Sequence, residues 1–363
     1  MERQRERHGG AGGRVRLVRA LIAAACLSAM ALAPGLAAAS SAGGRIVWTR
    51  NAKSNRRSQI VSARPDGAGL RELTHPGPQA YDIDAQISPD GSQVVLERDI
   101  DDSGAQSILV GADGGGRRLL DLGCADPCVL DSAPTWFAPD RLAFTPVIGP
   151  FDGPNGSARS AVLETSFLDG SDPQRLSEPG IDGEFEDYHA HVSPDGSYVV
   201  FTRVRNDPFA IASYRMDVDG THVHRLTPWS LGADLSDLSP ATSGPTEDLV
   251  VFETYGSGPP KGKSQNIATV PSTCAPLREC VKQIDYLTDH GGGRISSFNP
   301  AWSPSGARIA YTLFKGPGAH HRCCVGDIWT ARADGSGRRP VSTSPRFEYR
   351  PDWGPAPPGG ADR

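Results

Sequence analysis

Ile87-Ser88-Pro89-Asp90-Gly91 returns as Val192-Ser193-Pro194-Asp195-Gly196 and as Trp302-Ser303-Pro304-Ser305-Gly306, with a worn copy at Trp136-Phe137-Ala138-Pro139-Asp140. Each copy precedes a short run rich in β-branched and aromatic residues, at 93–98, 198–203, 308–312 and 141–145. Proline and Asp-Gly supply turn geometry, and the residues on either side prefer strands. A second phrase follows the first: an apolar run, a turn, then a basic-apolar-hydroxyl ending. It covers 59–74, 107–120, 161–177, 212–227 and 327–342, with turns at Asp66-Gly67, Asp113-Gly114, Asp169-Gly170, Asp219-Gly220 and Asp334-Gly335. Asp-Gly between two alternating runs is a hairpin signal.

The spacing of these turns exposes a further copy. Successive intervals are 47, 56, 50 and 115 residues, and the last is about twice the others. A degenerate unit is expected inside it, with strands at 249–254, 266–270 and 283–288 and an enlarged tip at 272–282 that holds Cys274 and Cys280. The ends complete one another. Arg45-Ile46-Val47-Trp48-Thr49 begins in mid-unit, and Tyr349-Arg350-Pro351-Asp352-Trp353-Gly354 matches the start of a unit. The count is therefore six: 45–74 with 349–354, 82–120, 131–176, 187–227, 237–288 and 298–343. Each unit supplies about four short strands. A four-stranded sheet cannot bury both faces alone, whereas six sheets stacked around an axis cover each other. A linear solenoid would need capping repeats and would not use complementary ends. The expected fold is all-β: a six-bladed β-propeller with four-stranded antiparallel blades, its ring closed by strands from both termini.

Ser-Pro-Asp-Gly with its strand, followed by an apolar strand, Asp-Gly and Arg/Gln-Leu-Thr, resembles the repeat of TolB-like β-propellers over nearly all of residues 45–354. The resemblance is specific for fold and weak for function. The same repeat occurs in periplasmic scaffold proteins, in propeller domains of prolyl oligopeptidase-like enzymes and in some lyases. No TolB-type N-terminal α/β domain is expected before residue 45, so Pal binding is not carried over.

Arg3, Arg5, Arg7, Arg14, Arg16 and Arg19 precede an apolar stretch at 21–36, interrupted at Pro34, and Ala37-Ala38-Ala39 offers a small-residue cleavage site. Residues 1–39 read as a secretory signal peptide. The alternative, an uncleaved anchor, is opposed by Pro34 and by the short apolar length. Removing six Arg and two Glu leaves 31 basic and 40 acidic side chains, a net charge of −9 that excludes a nucleic-acid surface. No second apolar stretch is long enough to span a bilayer, so no membrane span is expected after cleavage. A monomer is expected, with a disordered tail at 355–363. The composition, 42 Gly and 31 Pro against 3 Met, fits a turn-rich chain poor in long helices.

Beyond Cys26 the cysteines form three local pairs: Cys124 with Cys128, Cys274 with Cys280, and the adjacent Cys323 and Cys324. An even count in an exported chain suggests disulfides, and the first two pairs can each close a short loop. His320 and His321 stand just before Cys323 and Cys324, which makes His-His-Arg-Cys-Cys a metal alternative in competition with oxidation.

The innermost strand of each blade precedes Ser-Pro-Asp-Gly, and its alternate residues face the central channel. The polar residues that align there are Asp82, Asp84 and Gln86, then Asp131, then Asp187, His189 and His191, then Asp237, and Asn299. The plain reading of these aspartates is that they cap turns and bond nearby amides. His189 and His191, two apart on a strand, point to one face and with Asp84, Gln86 or Glu186 form a speculative divalent-metal site. That His-x-His loosely resembles oligogalacturonate lyases of the same repeat type, but the family's third histidine has no counterpart here. No Gly-x-Ser-x-Gly elbow appears. Gly262-Lys263-Ser264 lacks the first glycine of a phosphate loop, and Asp217-Val218-Asp219-Gly220 sits at a hairpin turn rather than in a calcium loop. The expected function is binding without a cofactor: an extracytoplasmic scaffold that engages a protein or a saccharide through the propeller face and the loops at 149–157, 255–263 and 315–322. The alternative is a metal-assisted lyase or hydrolase acting on a saccharide-like substrate in the channel.

Overall fold

The computed structural model describes residues 43–52, 57–100, 104–123, 128–148, 160–178, 184–255, 264–291, 295–316 and 325–359, with backbone alone for 128–131 and 160–161. Contacts divide the chain into Met1–Ala38 and Ala39–Arg363. The first unit, with the expected leader, lies outside the described residues, and so do residues 360–363 of the expected tail.

Six blades follow in chain order. Blade 1 begins with β1 (Arg45–Asn51), β2 (Ser58–Ala63) and β3 (Arg71–Glu72). Blade 2 holds β4 (Ala80–Ile87), β5 (Gln93–Ile100), β6 (Gly104–Gly111) and β7 (Arg118–Leu119). Blade 3 holds β8 (Cys128–Ala138) and β9 (Arg141–Ile148), then a two-residue strand β10 (Ser160–Ala161), then β11 (Glu164–Phe167) and β12 (Gln174–Arg175). Blade 4 holds β13 (Phe185–Val192), β14 (Tyr198–Arg205), β15 (Ala210–Asp217) and β16 (His224–Arg225). Blade 5 holds β17 (Ala233–Leu238), β18 (Leu249–Thr254), β19 (Asn266–Pro271), the helix α1 (Leu277–Lys282) and β20 (Asp285–Tyr286). Blade 6 holds β21 (Ile295–Trp302), β22 (Arg308–Lys315), β23 (Val325–Arg332) and β24 (Arg339–Pro340). The chain then returns to blade 1, where β25 (Glu348–Gly354) pairs antiparallel with β1 and becomes its innermost strand. The closure by both ends, expected from the half-units, is present. β10 pairs antiparallel with β9 and parallel with β13, which links blades 3 and 4 into one hydrogen-bonded sheet.

The repeat phrases have local causes. In all five Asp-Gly turns the aspartate accepts the amide two residues on, at 2.8–3.0 Å, in Ala68, Gly115, Ser171, Thr221 and Ser336. The glycine meets a second demand as well. Gly335 has φ 76°, and a Cβ on it would lie 2.3 Å from the Leu287 carbonyl oxygen of blade 5. The hydroxyl ending caps the third strand. Thr74, Ser177, Thr227, Thr288 and Ser342 accept the amides of Ile60, Leu163, Ser213, Ile267 and Ile328 at 2.9–3.0 Å. In Ser-Pro-Asp-Gly, Ser193 Oγ donates to Asp195 Oδ1 at 2.6 Å and accepts the Tyr198 amide at 3.1 Å. The Ser193 hydroxyl foremost, with the Ser197 amide and hydroxyl, pulls the Asp195 carboxyl down to about 2.

Burial confirms that both sheet faces are covered. On β5, Val94 and Leu96 pack toward Val47 and Ile60 of blade 1, while Val95 packs toward Leu142 and Phe144 of blade 3. The same alternation gives six apolar clusters, one at each junction between neighbouring blades, including that between blades 6 and 1.

Blade 5 departs from the pattern at its tip. Its final strand, Asp285–Tyr286, has the two residues of the other blades, but the enlarged tip before it carries a short helix. Cys274 and Cys280 form a disulfide with S–S 2.08 Å, and both are buried in the junction with blade 4. Cys124, Cys323 and Cys324 lie outside the described residues, as does the side chain of Cys128. Residues 355–359 do not leave the fold at once. The carbonyls of Pro355 and Ala356 press on Gly91, where a Cβ would come within 2.7 and 2.5 Å of them.

Candidate functional site

Each innermost strand carries the same irregularity. Its pairing with the next strand slips by a bulge, and the first residue of the bulge is left-handed: Asp84 (φ 50°), Ala133 (50°), His189 (53°), Leu235 (46°), Asn299 (51°) and Arg350 (53°). A left-handed non-glycine residue costs about 1–2 kcal/mol. Six of them persist because the bulge turns six different side chains toward the axis at one level, and because the displaced amides find acceptors. The Ala133 amide donates to Glu97 Oε2 (2.7 Å), the Asn299 amide to Glu253 Oε2 (2.6 Å), the Arg350 amide to Asn299 Oδ1 (3.2 Å) and the Leu235 amide to Asp234 Oδ1 (2.7 Å).

The bulge residues and those two positions further on line a small cavity of about 60 Å³, partly open to solvent. Hydrogen bonds around this level join every pair of neighbouring blades. Asp352 accepts the Ile87 amide (2.8 Å), Gln86 O accepts Trp136 Nε1 (3.2 Å), and Thr135 Oγ1 donates to Ala190 O (2.5 Å). His191 Nδ1 lies 3.1 Å from Asp237 Oδ1, and Asp237 Oδ2 accepts the Trp302 amide at 2.7 Å. The Arg350 amide on Asn299 completes the circle. Arg350 also forms an ion pair with Asp84 across blades 1 and 2.

Burial shifts these groups. It pushes Glu97 and Glu253 up to about 8, Glu97 helped by the charge of Asp84 and Glu253 by that of Asp234. It pushes Asp237 and Asp352 up to about 7. It brings His191 down to about 4, and it lowers His189, on which Arg350 acts in the same sense against the pull of Asp84. The mouth therefore presents a guanidinium, neutral imidazoles, an amide and carboxyls shared with backbone donors.

Asp84, Gln86, His189, His191, Asp237 and Asn299 are brought together at the cavity. Two other expected channel residues are not. Asp82 and Asp187 turn away from the axis into two-pronged ion pairs with Arg98 and Arg203, each at 2.6 and 2.8 Å. Glu348, the equivalent position in blade 1, also pairs with an arginine, through a single contact from Arg50 Nε to Oε1 at 2.5 Å. The bulge is the cause, since it sits between these carboxylates and the cavity-facing residues and resets which side each residue faces. Asp131 occupies the corresponding position in blade 3, and its side chain lies outside the described residues. Sequence reading missed Arg350 as a channel residue, and it missed Glu97 and Glu253. Four blades carry Thr49, Thr145, Thr202 and Thr312 at the place of these glutamates, so the glutamate is the detectable exception.

The residues of the speculative metal site have other partners. Asp84 is held by Arg350, His191 faces Asp237, and Glu186 is taken by Tyr188 Oη (2.6 Å) and Asn206 Nδ2 (2.7 Å). Among the described residues no three His, Cys, Asp or Glu side chains converge as metal ligands, and no Ser, Thr or Cys hydrogen-bonds His189 or His191. Of the three loops expected to shape the face, 149–157 lies outside the described residues, and only Tyr255, Lys315 and Gly316 of the other two are described.

No family model matches the chain. A stretch of 62 residues is 36% identical to the Tol-Pal system protein TolB of Anaeromyxobacter dehalogenans strain 2CP-C, covering 17% of this chain and 13% of that protein's length. Over 236 residues the chain is 26% identical to an uncharacterised protein of Agrobacterium fabrum strain C58, covering 64% of this chain and 69% of the relative. Among solved structures, TolB from Acinetobacter baumannii superimposes with a TM-score of 0.61 at 17% identity, covering 86% of this chain and 67% of that one. A putative TolB from Agrobacterium tumefaciens gives 0.56 at 17% identity, covering 86% and 99%. At these identities the structural likeness is one of fold. No helix among the described residues is long and apolar enough to cross a membrane.

Proposed function

We propose that this TolB-like six-bladed β-propeller is an extracytoplasmic binding protein that engages a protein partner at the mouth of its central channel. The observation that carries the reading is the ring of bulges. Six strained residues hold Asp84, Ala133, His189, Leu235, Asn299 and Arg350 at one level, on backbone tied by hydrogen bonds between blades. Such a constellation is preorganised, so a partner meets fixed charge and apolar groups without ordering them first. The hydroxyls near it are already engaged, Thr135 on Ala190 O and Ser236 with Ser213. An extracytoplasmic setting is supported by the basic and apolar leader and by the Cys274–Cys280 disulfide. A protein partner is favoured over a saccharide because the curated TolB relative is named for a Tol-Pal system.

The test places a photo-crosslinking side chain at position 235 in the full chain, with position 209 as control, since Phe209 is 63% exposed and lies away from the cavity. Irradiation of intact cells should give a discrete protein adduct from 235 that is absent from 209. No adduct from 235, or the same adducts from both positions, sinks the channel-mouth reading. Recovery of the protein in the cytosol with Cys274 and Cys280 reduced sinks the extracytoplasmic part.

A further inference from the structure

Arg308 at the start of β22 has an internal counterpart in Arg141 at the start of β9. Both follow the first turn of their blade and both reach a threonine on the third strand: Arg141 Nη1 donates to Thr165 Oγ1, and Arg308 Nη2 to Thr330 Oγ1, each at 3.0 Å. Blade 3 satisfies its arginine completely. Asp172, three residues after the hairpin aspartate, takes Arg141 Nη2 at 2.5 Å, and the Phe167 ring lies 4.1 Å under the guanidinium.

Blade 6 keeps the threonine and replaces the other partners. Gly337 stands where Asp172 does, three residues after Asp334, with φ 60° against 52°. Arg332 stands in the register position of Phe167, opposite Arg308. Arg339 stands in the register position of Gln174, opposite Thr330. A counterion, an aromatic face and an amide have become open space and two more guanidinium groups. Arg308 and Arg339 have no carboxylate partner among the described residues. The neighbouring charges of Arg339 and Arg332 add to burial in lowering Arg308.

Part of this cluster faces a cleft of about 730 Å³ at the rim between blades 6 and 1. Arg308, Thr330 and Arg339 form the blade 6 wall. Arg64 and Asp66 come from the first hairpin of blade 1, with Arg64 Nε 3.5 Å from Asp66 Oδ1. Trp353 forms a further part of the wall; it is 7% exposed, and its indole N–H lacks an acceptor among the described residues. Three guanidinium groups thus share one carboxylate, in a protein whose net charge is otherwise negative. Planar guanidinium forks match oxyanions with two parallel N–H donors each.

We propose that the rim cleft between blades 6 and 1 is a binding site for a multiply charged oxyanion, a phosphate or polycarboxylate head group, held by Arg308 and Arg339 with Arg64. It is separate from the channel mouth and stands whether or not that reading does. The decisive variant rebuilds the blade 3 arrangement in blade 6: Gly337→Asp with Arg339→Gln. The left-handed backbone at 337 suits aspartate, as Asp172 demonstrates, and a Cβ there meets only the flexible Arg332 side chain, at 3.2 Å. The new carboxylate gives Arg308 its missing counterion, so the variant should unfold no earlier than the wild type. A control, Arg278→Gln with Lys282→Gln on α1, makes the same change in net charge away from the cleft.

Calorimetric titration of the full chain with inorganic pyrophosphate and with citrate, at low ionic strength, reads the site. The wild type and the control should bind at least one of these anions in a saturable one-to-one manner. The Gly337→Asp, Arg339→Gln protein should bind it at least tenfold more weakly. The tighter of the two anions assigns the head group as phosphate or polycarboxylate. The proposal is overturned by an absence of saturable binding of both, by wild-type affinity in the rim variant, or by an equal loss in the control.

Discussion

Replacing Glu253 by glutamine should make the protein more stable at high pH and leave it unchanged at low pH. Glu253 is 1% exposed on β18, and its Oε2 accepts the Asn299 amide at 2.6 Å and Asn299 Nδ2 at 3.1 Å. Burial, with the charge of Asp234, pushes its carboxyl from 4.5 up to about 8. In the unfolded chain the same group ionises near 4.5. Between these two values the folded state holds a proton that the unfolded state has released, so stability falls as pH rises from 4.5 to about 8. At about 1.4 kcal/mol per pH unit the full span corresponds to roughly 5 kcal/mol. Relaxation and water entry around a buried charge reduce such figures, which leaves about 1–3 kcal/mol. Glutamine keeps an acceptor for the Asn299 amide and does not titrate. The difference in Tm, variant minus wild type, should therefore be near zero at pH 5 and rise to roughly 2–6 °C by pH 9. Asp237 and Asp352 titrate in both proteins and cancel in that difference. Thermal unfolding followed by circular dichroism across this range measures it. A difference that stays flat, or that grows negative with pH, refutes the claim that Glu253 is held protonated in the fold.

Two further outcomes separate the causes of stability. Gly335→Ala should cost more than about 3 kcal/mol, because the left-handed backbone and the overlap with the Leu287 carbonyl act together, whereas Gly196→Ala, with φ 72° and nothing within 4 Å, should cost only about 1–2 kcal/mol; equal losses in chemical denaturation would remove the role assigned to blade contact. Replacing Cys274 and Cys280 together by serine opens a loop of six residues' separation and should lower stability by about 2 kcal/mol. An unchanged Tm in the double variant, compared with wild type under non-reducing conditions, would mean that the loop is held by its packing alone.

The blades were legible because each conserved-looking phrase within this chain solves a problem local to a few residues. Asp-Gly closes its own turn, and the terminal Thr or Ser caps a strand 14 residues earlier in four blades and 21 residues earlier in the fifth, so the phrase persists wherever that geometry does. The helix in the fifth blade's tip was not legible, since the cysteine spacing fixed only that a loop closes there. The channel was half legible for a different reason. Strict alternation places Asp82, Asp84 and Gln86 on one face, and the bulge at Asp84 and Ala85 breaks that rule, sending Asp82 to Arg98 while Asp84 and Gln86 face the axis. Hydropathy does not record a bulge, because the inserted residue changes register without changing composition. A weaker signal does record it. The residue after each left-handed position is Ala85, Pro134, Ala190, Ser236, Pro300 or Pro351, always small or a proline. A second signal is Glu97 and Glu253 standing where the other blades have threonine: both reach past their own blade to bond the displaced amide of the next. In those two blades the glutamate supplies the acceptor that the strained backbone of the next blade needs, so the exception in the sequence marks the same bulge that the strand alternation hides.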